Sequence, residues 1–499
     1  MRPTLVRKDR SADMQTRGDR LSIPLSAMEA AGSRESVADA EAGPLIQGRL
    51  LRGGALFGIC HFAGMAMGFL SGMVLVRVAE KPAVASYMLL QQAIMALGMV
   101  LQLGLGAAAL RFAPVSRGQG GEQATALLRR RLFGLQISFW ALVVPPLVLA
   151  WPAIARKLDA PELTPAATFL IAAAVLSSFG HLVDSYLRAF RLYSLSALLM
   201  QLVPRGLILA GFLVLLMTAS HEEPWEMLAS VYVGALLLTS LGYALALVST
   251  TSGEGSEPRV ASAPAGVREI LGTSTAMGLR SAASVLFVSS SLWILSWARP
   301  HEQVAVYGIA ATLLQVMAAI PSTANYVVPQ EFSVLYADGR RREMERLART
   351  AATLVAMLSA ACLAGLLLFG RPLIRLAYGP SYVGAWGILL VLALGAFWDS
   401  ASGAAGYALQ MAGHHVRLLV LTIGGAALNV ALSLALAPVW GAYGIALATT
   451  LTLIALNLAM VWSARKLVGI RTFVYIEPSQ WKNALRLVRD SGFSRRNEA

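Results

Sequence analysis

Apolar runs long enough to cross a bilayer alternate with short polar segments along most of this chain. A helix needs roughly 20 apolar residues to span a hydrocarbon core of about 30 Å. The pattern therefore predicts twelve membrane-spanning helices. They lie at 53–77, 84–110, 132–155, 165–187, 193–217, 226–248, 270–297, 304–330, 350–370, 383–411, 418–438 and 441–464.

Composition and charge fit a polytopic all-α membrane protein. Hydrophobic residues make up 57% of the 499 residues, charged residues make up 14%, and the mean hydropathy is +0.63, which is too apolar for a soluble domain. Short loops rich in Lys and Arg stay in the cytoplasm. With the N-terminus inside, 32 of the 41 basic residues lie on the cytoplasmic side and seven lie outside. We therefore place both termini in the cytoplasm. The basic residues on that side suit the head groups of anionic membrane lipids. Binding of nucleic acid is not expected, because no soluble unit carries a basic stripe with interleaved aromatic residues.

The sequence also contains an internal repeat. "VASY", which ends at Tyr87, corresponds to "VAVY", which ends at Tyr307, and the same shift of 220 residues pairs Pro152 with Pro372. Six spans in each copy make the copies parallel, as in transporters built from two rocking bundles around a central site. The repeat predicts a disordered, basic cytoplasmic tail at 1–50, six-helix lobes at 51–249 and 268–466, a cytoplasmic linker at 250–267 and a basic cytoplasmic tail at 467–499.

Motifs of the common catalytic sites are absent. The chain has no P-loop, H-E-x-x-H, G-x-S-x-G or C-x-x-C, so nothing marks an ATPase, a metalloprotease, a serine hydrolase or a thiol redox site. The predicted outer loops are too short to display the catalytic groups of a membrane glycosyl polymerase or ligase. We expect no enzyme activity, no cofactor and no metal site.

Ionisable residues inside the spans are the candidate functional residues, because each costs roughly 2.5 to 3.5 kcal/mol to insert and needs a cavity or a partner. Arg280, in "GLRSAASVLF", lies near the midplane among small residues. Arg205 directly follows Pro204, where a kinked helix can open a site, and His61 is close to the repeat position of Arg280. We take Arg280, Arg205 and His61 as candidate substrate-binding residues. The alternatives are a structural ion pair, a cap on carbonyls that the proline frees, and a packed histidine.

Asp399, in "GAFWDSASG", is the one acidic residue deep inside a predicted span. It either carries a coupling proton or ion, or neutralises Arg280 in an ion pair. Two arginines and one histidine against one aspartate favour an anionic ligand, because an exporter of cationic drugs would place uncompensated carboxylates in its cavity. Five amides fit interhelical hydrogen bonds better than ligand contacts: Gln91, Gln92, Gln102, Asn325 and Asn429.

Four sequence segments carry a resemblance to one group of membrane proteins. They are "LQLGLGAAALRF", "PQEFSVLYADGRRREMERL", "LFGRPLIRLAYGPSYVGA" and "PVWGAYGIALATTL". By their order and spacing over about residues 50–466, the chain resembles the multidrug/oligosaccharidyl-lipid/polysaccharide (MOP) exporter superfamily. Within it, the chain is similar to the polysaccharide-biosynthesis, O-antigen-type branch of lipid-linked oligosaccharide flippases. The long N-terminal tail and the lack of a glycine before the tyrosines of "VASY" and "VAVY" depart from the family pattern.

The resemblance implies a V-shaped pair of six-helix lobes in a bacterial inner membrane. It implies transport of an undecaprenyl-pyrophosphate-linked glycan to the outer leaflet, for exopolysaccharide, capsule or O-antigen biosynthesis, with polysaccharide polymerase machinery as a partner. Arg280, helped by Arg205 and His61, would hold the pyrophosphate, since a guanidinium donates several hydrogen bonds to phosphate oxygens. Three alternatives stay open: a multidrug or cation antiporter of the same superfamily, a flippase for the peptidoglycan precursor, whose relatives have fourteen helices, and a membrane glycosyltransferase or polymerase.

The predicted topology can be tested by cysteine labelling. With Cys60 and Cys362 replaced by alanine, the cysteine of Ser256→Cys, in the linker, should react with a membrane-impermeant maleimide in inverted vesicles and not in spheroplasts, because the linker is predicted to be cytoplasmic. Ser381→Cys, between the ninth and tenth spans, should show the opposite pattern. Labelling of the linker cysteine in spheroplasts would contradict this orientation.

Overall fold

The computed structural model describes residues 58–157, 163–190, 192–218, 225–249 and 266–475, and these residues are almost entirely helical. Among them, eleven helices are long and apolar enough to cross a membrane. The first six are α1 Gly58–Val78, α2 Lys81–Leu101, α3 Leu105–Lys157, α4 Leu163–Ala189, α5 Tyr193–Thr218 and α6 Trp225–Ser249. The others are α7 Val267–Ala298, α8 His301–Ala337, α9 Arg341–Tyr378, α10 Ala385–Ser402 and α12 His415–Ser463, with a short α11 Ala405–Met411 between the last two. The predicted tail at 1–50 and most of the linker and of the C-terminal tail lie outside the described residues.

Two of the predicted spans lie within one helix, α12. Gly441, three residues after Pro438, has a φ of 57° and a ψ of −132° and breaks α12 into two arms. The break frees carbonyl groups from helical hydrogen bonds. The side chain of Arg299, in the turn after α7, donates to the carbonyls of Ala437 and Val439, at 3.3 and 3.1 Å. Two predicted spans thus correspond to α12, the other ten correspond to the remaining long helices, and the predicted all-α membrane fold is confirmed.

Three helix boundaries differ from the predicted ones. Gly104 turns the chain between α2 and α3, and Gly403 turns it between α10 and α11, each with a φ of 68°, so the spans predicted at 84–110 and 383–411 are each divided. The arginine-rich segment predicted as a loop before the third span is instead part of α3, although it contains one proline and three glycines, which disfavour helix. Hydropathy detects where a chain leaves the apolar core, and it does not detect where the backbone turns.

The two copies of the repeat meet at equivalent positions. Tyr87 of α2 and Tyr307 of α8 are both buried, 5% and 4% exposed, in the largest hydrophobic cluster of the described residues. Gly308 lies directly against the sulfur of Met88, and these two residues are also 220 apart. Contact between equivalent residues is what a two-fold axis between parallel copies produces.

A second contact between the two copies of the repeat, which form the two halves of the chain, lies just after the C-terminal end of α2, where the chain meets α7. A Cβ atom on Gly104 would overlap the carbonyl oxygen of Ser274 and approach the backbone nitrogen of Gly278 to 2.6 Å. Arg111 of α3 also donates to Thr273 of α7 at 3.2 Å. The α2–α3 turn therefore packs on the bare backbone of α7, as small residues permit in membrane helices.

The chain beyond the last span packs on the second half. α12 ends in a π-helical turn, Ala464–Val468, and the residues that follow are extended. The hydroxyl of Thr472 donates to the carbonyl of Ser402 at 3.0 Å, and the guanidinium of Arg349 lies 4.1 Å from the ring centroid of Tyr475. Residues 472–475 therefore pack on α9 and α10.

The α2–α3 turn should be intolerant of a side chain at its glycine. Gly104→Ala should lower the free energy of unfolding in detergent by about 2 to 4 kcal/mol, because alanine there would combine an unfavourable φ with overpacking. Gly134→Ala in α3 is the matched control, since a Cβ at Gly134 meets no atom within 4 Å. Equal thermal stability of the two variants would show that this turn does not depend on glycine.

Candidate functional site

A cavity of about 410 Å³ opens among α1, α2, α4, α5, α6 and α8. Its volume lies in the range of small-molecule sites. Its described lining residues include amides, hydroxyls, aromatic rings and two basic groups, and they include no Asp or Glu. The polar lining residues include Gln91, Gln92, His181, Arg205, Tyr232 and Gln315.

Arg205 is held at the wall of this cavity by its own helix and by a glycine of α1. α5 contains a π-helical segment, Leu198–Leu202, directly before Pro204, because proline cannot donate the hydrogen bond of a regular turn. Nη1 of Arg205 donates to Oε1 of Gln201 at 2.5 Å. A Cβ atom on Gly64 would lie 2.5 Å from that Nη1 and 2.6 Å from the backbone oxygen of Gln201. Glycine at position 64 therefore leaves the room that the guanidinium occupies.

His61 joins Arg205 through the same glutamine. It lies about one turn before Gly64 on α1, forms a hydrogen bond with the side chain of Gln201, and is close enough to Arg205 for their charges to interact. The structure therefore brings two of the three predicted cations into one cluster, which we call the Arg205 cluster: His61, Gly64, Gln201 and Arg205.

Arg280 lies apart from the Arg205 cluster. Its Nη1 donates to Oε1 of Gln410, in α11, at 3.1 Å, and Arg280 is not among the described lining residues of the cavity. It lies two residues after Gly278, where the α2–α3 turn packs on α7. Arg280 therefore contacts α11 and is not in the described wall of the cavity.

Of the two roles considered for Asp399, the ion pair with Arg280 is not found among the described residues. Asp399 accepts a hydrogen bond from Nδ2 of Asn457 at 2.9 Å and lines a separate cavity of about 150 Å³ in the second half. No carboxylate pairs with Arg280 within the part of the chain that the structure describes. The two residues come from helices whose registers a sequence does not reveal. The coupling role of Asp399 stays a prediction.

Sequence reasoning missed the partners of Arg205 and the full burial of Asp184, which it placed towards the cytoplasmic end of the fourth span. Asp184 of α4 is fully buried, pairs with Arg188 at 2.8 Å and accepts a hydrogen bond from Ser196 at 2.6 Å. The spacing of Asp184 and Arg188, four residues apart on a helix, was the signal for this pair. Gly64 and Gln201 carry no comparable signal, because their role arises only when α1 packs on α5.

The predicted interhelical role of three amides is confirmed. Gln92 accepts a hydrogen bond from the hydroxyl of Ser289 at 3.1 Å, and Gln91 forms one with Tyr232. Nδ2 of Asn429 donates to a backbone carbonyl of α7 at 3.0 Å. These amides join neighbouring helices, as polar side chains commonly do inside membranes.

Comparison of sequences identifies one family. A family model described as "Polysaccharide biosynthesis protein" matches residues 50–329. No match was found among curated protein sequences.

Comparison of structures shows the fold of the MOP superfamily. The chain is similar to an inward-facing multidrug resistance MATE family transporter of that superfamily, with 15% identity, a TM-score of 0.67, and coverage of 83% of this chain and 98% of that chain. It is similar to the lipid II flippase MurJ in an inward closed conformation, with 13% identity, a TM-score of 0.65, and coverage of 82% and 87%. A MOP superfamily transporter from Pyrococcus furiosus, described as having a binding pocket of reverse polarity, matches with 18% identity, a TM-score of 0.59, and coverage of 84% and 95%. At these identities the likeness shows the fold alone.

The packing of Arg205 against Gly64 can be measured by a double-mutant cycle. Gly64→Ala should destabilise the protein by about 1 to 3 kcal/mol through overpacking, and by less in an Arg205→Ala background, because one of the two clashing atoms is then gone. Gly58→Ala, on the same helix with no atom within 4 Å of its Cβ, should cost little in either background. The stabilities are measured by thermal unfolding in detergent. Equal destabilisation by Gly64→Ala in both backgrounds would contradict the contact.

Proposed function

Because this chain belongs to the polysaccharide biosynthesis protein family and has the fold of MOP-superfamily transporters, we propose that it is a flippase. Its substrate is an undecaprenyl-pyrophosphate-linked oligosaccharide repeat unit, which it moves across the bacterial inner membrane for exopolysaccharide, capsule or O-antigen biosynthesis. One observation carries the proposal. Arg205 holds a fixed guanidinium at the wall of a cavity whose described lining contains no carboxylate.

The chemistry of the cavity suits a pyrophosphate. An unshielded pyrophosphate cannot cross hydrocarbon, because the free energy of removing charge from water is large. A guanidinium has five N–H donors in a rigid fork, and Gln201 accepts from one nitrogen of Arg205. Most of the donors are therefore free for phosphate oxygens, and hydrogen bonds between two charged groups are about twice as strong as neutral ones.

The contacts between the halves suit alternating access. Met88 and Gly308 meet near one end of α2, and Gly104 and Gly278 meet at the other end. Opening one contact while the other stays closed would expose the cavity to one side of the membrane at a time. Arg280, which donates to Gln410 away from the described cavity wall, is assigned to the entry or exit of the anionic head group. The isoprenoid chain stays in the bilayer.

The alternatives differ in how well they fit this cavity. A cationic drug would meet Arg205 without a compensating carboxylate among the described lining residues, so antiport of cations fits poorly. A lipid-linked peptidoglycan precursor presents the same pyrophosphate, and it differs in its glycan and peptide. Depletion of the protein separates these two lipids, because the transported lipid should accumulate and the other should not.

Translocation in depleted cells tests the proposed function. Lipid-linked oligosaccharide should accumulate in the inner leaflet on depletion, and the wild-type chain should restore its translocation. Arg205→Ala at matched membrane abundance should lower translocation about tenfold or more, because hydrogen bonds to charged groups contribute about 1.5 to 3 kcal/mol. Arg205→Lys should keep part of the activity. Arg268→Ala, an exposed cation at the start of α7, is the matched control and should change nothing.

Two results would contradict the proposal. Full translocation by Arg205→Ala would remove Arg205 from the binding site. Accumulation of peptidoglycan precursor instead of lipid-linked oligosaccharide on depletion would assign the protein to the other lipid.

A further inference from the structure

Gln315 is a polar residue in the cavity wall that no hydrogen bond within the described chain explains. It is exposed, and it lines the cavity together with Ile309 and Thr312, which lie on the same face of α8. These three are the described lining residues that come from the second half of the chain. Gln91 and Gln92 face the same cavity, but each already has a partner on another helix.

Gln315 and Arg205 lie at similar depths in their spans, Arg205 in the first copy of the repeat and Gln315 in the second. Arg205 is at the middle of the candidate span Tyr193–Thr218, and Gln315 lies about one turn past the middle of His301–Ser322. An amide exposed at this depth loses hydrogen bonds to bulk water, and this loss is costly unless a ligand or water replaces them. The cavity is the space into which such a ligand fits.

The chemistry of the two side chains differs in a way that matches two parts of one ligand. A guanidinium only donates hydrogen bonds, whereas a glutamine amide both donates and accepts. A phosphate oxygen only accepts, whereas a sugar hydroxyl both donates and accepts. The amide is therefore matched to a hydroxyl, and its carbonyl oxygen has nothing to offer a pyrophosphate.

We propose that Gln315 binds a hydroxyl of the sugar next to the pyrophosphate while Arg205 binds the pyrophosphate. This inference rests on the flippase function proposed above. The ligand then contacts both halves of the repeat at once, since Arg205 belongs to the first half and Gln315 to the second. Binding of the sugar, and not of the phosphate alone, would favour the arrangement in which the halves enclose the cavity.

Binding of two lipids to the purified full-length protein in nanodiscs tests this proposal. The ligands are lipid-linked oligosaccharide extracted from depleted cells and undecaprenyl pyrophosphate without sugar. Gln315→Met keeps the length of the side chain and removes its donor and acceptor. It should weaken binding of the oligosaccharide lipid about three- to tenfold, the size of one neutral hydrogen bond, and leave binding of undecaprenyl pyrophosphate unchanged. Arg205→Ala should weaken binding of both lipids.

Val316→Ala is the matched control, because Val316 is 48% exposed, adjacent to Gln315, and not among the described lining residues. It should bind both lipids as the wild type does. An equal loss for both lipids in Gln315→Met, or no loss for either, would overturn the sugar contact. Equal affinity of the wild type for the two lipids would overturn it too, while leaving the flippase function in place. Failure of the wild type to bind either lipid would overturn the proposed function itself.

Discussion

A guanidinium keeps its charge inside a protein, so a helix that carries Arg205 into the middle of a membrane span must provide partners for it. Two features provide them. The π-helical segment before Pro204 belongs to the same stretch of α5 as Gln201, whose amide oxygen accepts from the guanidinium. Gly64 leaves a gap in α1 where that guanidinium fits. The geometry of the first half around the cavity depends on this packing.

The same use of glycine recurs where the halves meet. At one contact the side chain of Met88 lies against the backbone of Gly308. At the other the backbones of Gly104 and Gly278 meet, and at neither does a glycine Cβ intervene. Membrane helices lack a hydrophobic driving force for association, so close packing of small residues contributes most of the attraction. The two contacts differ in size. Met88 lies in the largest hydrophobic cluster of the described residues, which contains side chains from both copies of the repeat, whereas Gly104 meets α7 through backbone atoms.

Most of the fold follows from the sequence, because hydropathy and the 220-residue repeat report on burial in lipid and on duplication. The turns at Gly104 and Gly403 were not resolved by hydropathy, since a glycine with positive φ leaves the apolar pattern unchanged. Arg205 could be chosen as a site residue from its position in a span. Other features depend on helix rotation and register, which no single sequence contains. They are the placement of Arg205 and His61 on one glutamine, the separation of Arg280 from Asp399, and the exposure of Gln315.

A flippase moves an intact, pyrophosphate-linked lipid between leaflets. This activity can be measured as the rate at which lipid-linked oligosaccharide changes leaflet in liposomes that contain only the purified protein. The wild type should accelerate this exchange and leave the lipid chemically unchanged, and excess undecaprenyl pyrophosphate should compete with it. Exchange no faster than in protein-free liposomes, with the protein folded and a transmembrane ion gradient supplied, would show that the chain is not a flippase.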